Sequence, residues 1–398
     1  MIDIFIAIIV GILIGIFVGL IPGIHTNLIV VVLLSLFYAL DFDPLLFSII
    51  IISVGLTNTF VDIIPSIFLG VPESERIFNA LPGHKFLLKG KANDAIIIST
   101  FGGIFSIITG VLLIPLIITL IEIVYYSLKQ LLPYLLLIII LFILTYKKSF
   151  KEIIISSFVF ITSGILGLII LRSNVEQPLF VLLSGLFGIS NLFVSLINKT
   201  KLVEQKQSVV FIDLKKTIMT SIKSIMSCVF ITLFPGLGPS QGAFISRSIF
   251  KQIDVKYYLM LTSGIATFDF FISLITFYTI NKTRNGAIVG IKDLINGLNL
   301  ELFLFFIGVL LFVSGIAAII TLFLSKAFIL FINKINYIIL NIIIILFITL
   351  LSFLISGFYG FFVLIISSFI GLIPILLRSQ RSNLMGCLLI PTLVLLFS

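Results

Sequence analysis

Gly19-Leu20-Ile21-Pro22-Gly23-Ile24-His25-Thr26-Asn27 and, past the middle of the chain, Leu233-Phe234-Pro235-Gly236-Leu237-Gly238-Pro239-Ser240-Gln241 are the two stretches on which the fold turns. Each sets a Pro-Gly pair inside a long apolar run and follows it at once with small polar residues. Proline removes a backbone donor and glycine tolerates unusual dihedrals, so a helix is expected to stop at both places. In a bilayer an opened backbone survives only where it is buried in protein or lines a wet cavity. Thr26, Asn27, Ser240 and Gln241 then stand where helix N-caps are expected. Two interrupted helices at corresponding positions of two halves point to a transporter's binding site.

The chain around these breaks reads as membrane helix. Of its 398 residues 60% are hydrophobic and 10% charged, with mean hydropathy +1.34. Soluble domains carry about 25% charged residues, so the class is an all-α polytopic membrane protein in a lipid bilayer. The apolar runs are continuous and lack the alternation of a transmembrane β-barrel. No basic segment precedes the first run and no small-residue cleavage site follows it, so residues 2–20 are expected to stay as a transmembrane segment.

Within that run Gly11, Gly15 and Gly19 fall on one helix face, where a second helix can approach closely. Beyond the first break, spans are predicted near 28–40, 45–71, 95–127, 131–146, 152–171 and 178–197. The second half repeats the order. A run from about 217 reaches the break at 234–241, a short run follows, and spans are predicted near 257–280, 299–325, 337–354, 358–377 and 383–397. The halves align weakly but in order: Pro22 with Pro235, Thr59-Phe60 with Thr267-Phe268, and Gly167-Leu168-Ile169 with Gly371-Leu372-Ile373. The expected organisation is a first transmembrane repeat over 1–198, a basic cytoplasmic linker over 199–214, and a second, inverted repeat over 215–398. Each repeat is a re-entrant helical hairpin plus about five transmembrane helices.

Charge supports that parity. With residues 199–223 in the cytoplasm, 72–94, 147–151, 243–256, 326–334 and 378–381 are cytoplasmic too. Of the 25 Lys and Arg residues, all but Lys129, Arg172, Lys282, Arg284 and Lys292 then lie inside. The net charge of +9 is therefore a topology signal and does not call for nucleic acid. Cys228 and Cys387 sit far apart in apolar runs and are expected as small buried hydrophobes. The two histidines have no metal-ligand spacing, no HExxH or GxSxG motif occurs, and no resident cofactor or enzymatic activity is expected.

The candidate site residues follow from depth. Asp62 and Asp269 lie well inside apolar spans, each in the segment after a break. A charged Asp at the bilayer centre costs about 2.5–3.5 kcal/mol on insertion scales, so such a residue is rarely idle. With Asn58 and Thr267, which supply neutral oxygens, they are the candidates for holding a coupling ion, Na⁺ or H⁺. The substrate site is expected around Pro22, Gly23, His25, Thr26 and Asn27 and around Pro235, Gly236, Gly238, Ser240 and Gln241. Helix N-termini there attract anions. Arg284 lies on the predicted outer side against the charge trend and is a candidate contact for an anionic substrate or a lipid phosphate. His84, in a basic loop, is expected to be solvated.

At Gly19-Leu20-Ile21-Pro22-Gly23, at Phe234-Pro235-Gly236-Leu237-Gly238-Pro239-Ser240 and at Ser184-Gly185-Leu186-Phe187-Gly188, the sequence resembles the TctA family. These are the large membrane subunits of tripartite tricarboxylate transporters, and the chain looks most like their shorter archaeal-type members. The resemblance runs the whole length. It implies secondary transport of a small organic anion, a carboxylate, driven by a cation gradient. It also implies a soluble binding protein and a small membrane subunit as partners. A similar plan of paired re-entrant hairpins is seen in bacterial polyprenyl-phosphate translocases, which leaves lipid-phosphate translocation as the alternative.

Overall fold

The computed structural model describes residues 2–21, 29, 30, 32–34, 36, 37, 42–68, 83, 85–145, 149–197, 203–205, 210–232, 234, 237–250, 254–295, 297–332, 337–377 and 379–397. They are helical throughout, with no strand among them. In chain order the helices are α1 Ile2–Leu20, α2 Pro44–Val61, α3 Ile63–Phe68, α4 Ala92–Leu112, α5 Ile114–Leu128, α6 Leu132–Thr145, α7 Phe150–Leu171 and α8 Pro178–Ile197. The second half has α9 Leu214–Thr232, α10 Pro239–Ile249, α11 Val255–Ile280, α12 Gly286–Leu294, α13 Leu300–Ile332, α14 Tyr337–Leu376 and α15 Gly386–Phe397. Eight spans among the described residues are long and apolar enough to cross a membrane: α1, α2 continued by α3, α4, α7, α8, α11, α13 and α14.

Local chemistry starts these helices where the chain is polar. Asp43 accepts hydrogen bonds from the Leu45 and Leu46 amides at 2.7 and 3.1 Å, and Pro44 fills the first turn, where its missing N–H costs nothing. Ser149 and Glu152 form a reciprocal capping box ahead of α7.

Two helix pairs carry the centre of the molecule. The glycine face of α1 lies on α2: a Cβ at Gly11, Gly15 or Gly19 would fall 2.5, 2.7 or 2.8 Å from the Cβ of Ser53, Thr57 or Val61. These partners advance together, so α1 and α2 run parallel. In the second pair the Ser224 hydroxyl donates to Leu261 O at 3.1 Å and Cys228 Sγ to Ile265 O at 3.8 Å, so α9 and α11 also run parallel. The register is the same in both pairs. Ser224 and Cys228 lie 213 positions after Gly11 and Gly15, the spacing of the two prolines, and Leu261 and Ile265 lie 208 positions after Ser53 and Thr57, the spacing of the two Thr-Phe pairs.

α4 runs parallel to α11, with Gly102 against Met260, Ser106 against Gly264 and Gly110 against Phe268. α2 runs the other way along α11, since Gly55 meets Phe270 while Phe60 and Thr267 meet at Gly103. The two parallel pairs are therefore antiparallel to each other. Farther out, the halves exchange partners. Gly167 of α7 lies against the Cys387 carbonyl of α15, and Gly371 of α14 lies against the Leu186 carbonyl of α8, where a Cβ would fall 2.0 and 2.3 Å away.

Two spans differ from the expected outline. The run expected over 95–127 is interrupted at Leu113, whose amide turns back to the Gly110 and Val111 carbonyls just before Pro115, which has no N–H to continue the ladder. The span expected over 45–71 turns at Asp62, which closes α2 before α3 begins. α14 has 40 residues, about 60 Å if straight against about 30 Å of bilayer core. It folds back at Gly357 (φ +62°, ψ −160°), as the predicted spans 337–354 and 358–377 require. Ile345 and Thr349 of one arm line the same cleft of about 270 Å³ as Phe361 and Leu372 of the other.

Candidate functional site

Pro22, Gly23, His25, Thr26, Asn27, Pro235 and Gly236 lie outside the described residues, as does His84. Gln241 belongs to α10, but its side chain is outside the described set. The site is therefore built here from the flanks of the second break and from the helices packed on it.

α9 stops at Thr232 and α10 starts at Pro239. The Gly242 amide donates to Gly238 O at 3.1 Å, which makes Gly238 the N-cap and Pro239 the first helical residue. The cap expected at Ser240 thus sits two residues earlier, because a proline suits the first turn and glycine can take the cap. Ser240 is buried just inside the helix start.

Arg284 meets this break from above. Its loop is held by α11. Asn281 ends α11 in the left-handed region (φ +53°), and the Ser273 hydroxyl accepts from the Arg284 and Asn285 amides at 3.0 Å each. Asn285 then caps α12 through the Ala287 amide at 2.9 Å. From this fixed turn the guanidinium enters the break. Nη1 donates to the Ile231 carbonyl at 2.8 Å and to that of Thr232, and Nη2 to Phe234 O and Leu237 O at 2.9 and 2.7 Å. The guanidinium adds to the short turns that follow α9, in which Ile231 O also accepts from the Phe234 amide at 3.0 Å and Phe234 O from the Leu237 amide at 3.4 Å. The Asp269 carboxylate is near enough to stabilise the guanidinium's charge.

Asp62 and Asp269 are both buried, at 5% and 7% exposure, in the interior of the bundle. The Asp62 amide closes α2 on Asn58 O at 2.9 Å, and Asp62 O receives the Ser66 amide at 3.1 Å. Asn58 is buried one turn before it. Thr59 and Thr267 behave alike, each hydroxyl donating one turn back, to Gly55 O at 2.8 Å and Ser263 O at 2.9 Å.

The helix that joins the two halves at this level is α4, a wall that sequence reasoning missed. A Cβ at Gly103 would fall 3.0 Å from the Phe60 ring and 3.0 Å from Thr267 Cγ2, so the two matched Thr-Phe pairs converge on one point of α4. The signal was present as Gly102-Gly103 between Ser99-Thr100 and Ser106 in an apolar run. The hydroxyls of Ser99, Thr100, Ser106 and, on α2, Thr57 are buried with no hydrogen-bond partner among the described residues. These hydroxyls add hard oxygen donors to the helices that carry and flank Asp62 and Asp269. Among the described residues no group of three His, Cys, Asp or Glu could hold a metal ion, and both cysteines are free and buried.

The Ser184–Ile189 motif is a π-helical turn inside α8. Arg381 donates to Phe187 O at 3.2 Å, Ser190 Oγ at 2.9 Å and Asn191 Oδ1 at 3.1 Å beside it. π-turns inside helices are often functional.

Interrupted helices, buried carboxylates and unpaired hydroxyls inside a multi-pass helical bundle define an integral membrane protein of transporter type. The model of the tripartite tricarboxylate transporter TctA family matches residues 5–386, and the chain belongs to that family, whose members are transporters. It is 31% identical over 386 residues to an uncharacterized protein of Methanocaldococcus jannaschii, covering 93% of each chain. No solved structure matches it.

Proposed function

We propose that the chain is the large subunit of a tripartite carrier that moves a small organic anion, a carboxylate, across the cell membrane with Na⁺ or H⁺. The observation that carries this reading is the shared contact register of α1 on α2 and of α9 on α11, with the two pairs antiparallel. It supports two inverted repeats, 1–198 and 215–398, joined by a cytoplasmic linker at 199–214, each a re-entrant hairpin followed by crossings. Pro22, Gly23, His25, Thr26 and Asn27 of one break, and Pro235, Gly236, Gly238, Ser240 and Gln241 of the other, then approach a shared cavity from opposite sides. Helix starts there offer N–H groups to the carboxylates. Asn58, Asp62, Thr267 and Asp269 hold the coupling ion: their oxygens suit Na⁺, and a carboxylate alone suffices for a proton. Arg284, expected as an anion contact, acts on the anion through the break that it holds. A soluble binding protein and a small membrane subunit complete the assembly that the family name implies.

The test is uptake of radiolabelled citrate by the purified chain in proteoliposomes, with an inward Na⁺ or H⁺ gradient and with or without its binding protein. Gradient-dependent accumulation is expected, collapsing when an ionophore is added. Gly236→Val, with a bulky β-branched side chain at the break, should block uptake without blocking insertion. Tight binding of a short-chain polyprenyl phosphate, with no uptake of any carboxylate, would replace this reading with lipid-phosphate translocation.

A further inference from the structure

We infer that Arg284 is a latch on the second Pro-Gly break, a positioning residue whose release lets the break move during transport. Its role in transport rests on the reading above; its grip on the break does not. α9 ends at this break, where the helix dipole is negative and short turns replace the full helical ladder: the Phe234 amide reaches Ile231 O and the Leu237 amide reaches Phe234 O, and the carbonyls of this stretch keep room for further donors. Four of them, on Ile231, Thr232, Phe234 and Leu237, accept from the two terminal nitrogens of one guanidinium. Arginine suits this geometry because its planar fork presents five donors and keeps its charge on burial. Lysine would bring three donors on a single atom and could not span carbonyls spread over seven residues of chain.

The latch is also fixed at its root. Ser273 Oγ holds the Arg284 and Asn285 amides, and Asn281 and Asn285 close the helices on either side, so the backbone from which the guanidinium reaches is fixed. Asp269, one turn before Ser273 on α11, adds attraction from behind. Held in this way, the stretch from the end of α9 to the start of α10 keeps one arrangement. For it to open toward a cavity, the four carbonyls must exchange the guanidinium for water or a partner backbone. The Asp269 that stabilises the guanidinium is also a proposed coupling-ion residue, so occupation of the ion site and the grip on the break share one charge.

Hydrogen exchange of the full-length protein in nanodiscs tests this without reference to any substrate. In Arg284→Gln the amides of 231–241 should exchange at least about tenfold faster, with Arg284→Lys between it and the wild type and α4 and α7 unchanged. Ser273→Ala should raise exchange in the same segment by less. In citrate uptake normalised to the amount of folded protein, Arg284→Lys should lower the rate per transporter by about tenfold while KM stays within about threefold, and the normalisation separates this from loss of folded protein. Exchange at 231–241 within about twofold of wild type in any folded arginine variant would overturn the latch, as would an increase spread evenly over the molecule. If neither arginine variant folds, Ser273→Ala decides by the same two criteria. If the wild type takes up no citrate, the anion assignment fails and the exchange result still stands.

Discussion

Asp62 and Asp269 stand 207 positions apart in equivalent segments, yet the backbone treats them differently. α2 ends on Asp62 and turns, whereas α11 runs straight through Asp269. Both carboxylates are buried in the bundle, where ionised groups persist only with a purpose or a partner. Asn keeps the shape and hydrogen-bonding capacity of Asp and removes the charge. Asp62→Asn and Asp269→Asn should therefore insert and express normally. Ion-driven uptake should fall by about tenfold or more, equivalent to about 1.4 kcal/mol. Full uptake by both variants would remove the coupling role, and loss of folded protein would assign the carboxylates to packing. The depth of these residues was legible from the apolar runs around them. The direction of Arg284 was not. Its loop position suggested an outward cation, and nothing local reports carbonyls 47 to 53 residues earlier in the chain.

At the scale of elements, close approach decides what a glycine does. Gly15 has Thr57 Cβ at 2.7 Å from any Cβ placed on it, while Gly308 in α13 has nothing within 4 Å. Gly15→Leu should therefore cost about 1–3 kcal/mol or more through overpacking and lower the melting temperature by several degrees. Gly308→Ala should be neutral or raise stability by up to about 1 kcal/mol, the usual helix preference for alanine. Thermal unfolding of the two variants in the same detergent checks this, and equal losses would refute the close packing of α1 on α2. The spacing of Gly11, Gly15 and Gly19 made this interface readable in advance, because a period of four marks one helix face. The stop at Leu113 and the turn at Asp62 were less readable. Apolar length alone continues through both, and only Pro115 hinted at the first. The convergence of Phe60 and Thr267 on Gly103 was not readable at all, since it joins three segments that no local pattern connects.

The whole molecule offers an independent check on topology, because side-chain contacts were not used in counting charges. Gln205 of the linker accepts from the Ala92 amide at 3.1 Å and donates to Leu87 O at 3.0 Å, and Ser325 donates to Asn93 Oδ1 at 3.1 Å. Lys256 reaches the Phe211 carbonyl. All of these residues fall in or beside segments that the charge count places in the cytoplasm. On the other face, Ser356 next to the α14 fold-back donates to Glu176 O at 2.5 Å, and the Lys282 ammonium lies 4.7 Å from the Tyr125 ring. Those segments are the ones assigned to the outside. The antiparallel helix pairs agree with the proposed partition, in which α1 and α9 enter from opposite faces. In a chain with Cys228 and Cys387 replaced by Ser, Glu204→Cys should react with a membrane-impermeant maleimide only after the cytoplasmic face is opened. Asn174→Cys should react from outside in intact cells. Both positions are exposed, so failure to label would not follow from burial. Labelling of both positions from the same face would break the odd number of crossings between them. It would remove the inverted repeat, and with it the argument that the two breaks face one cavity.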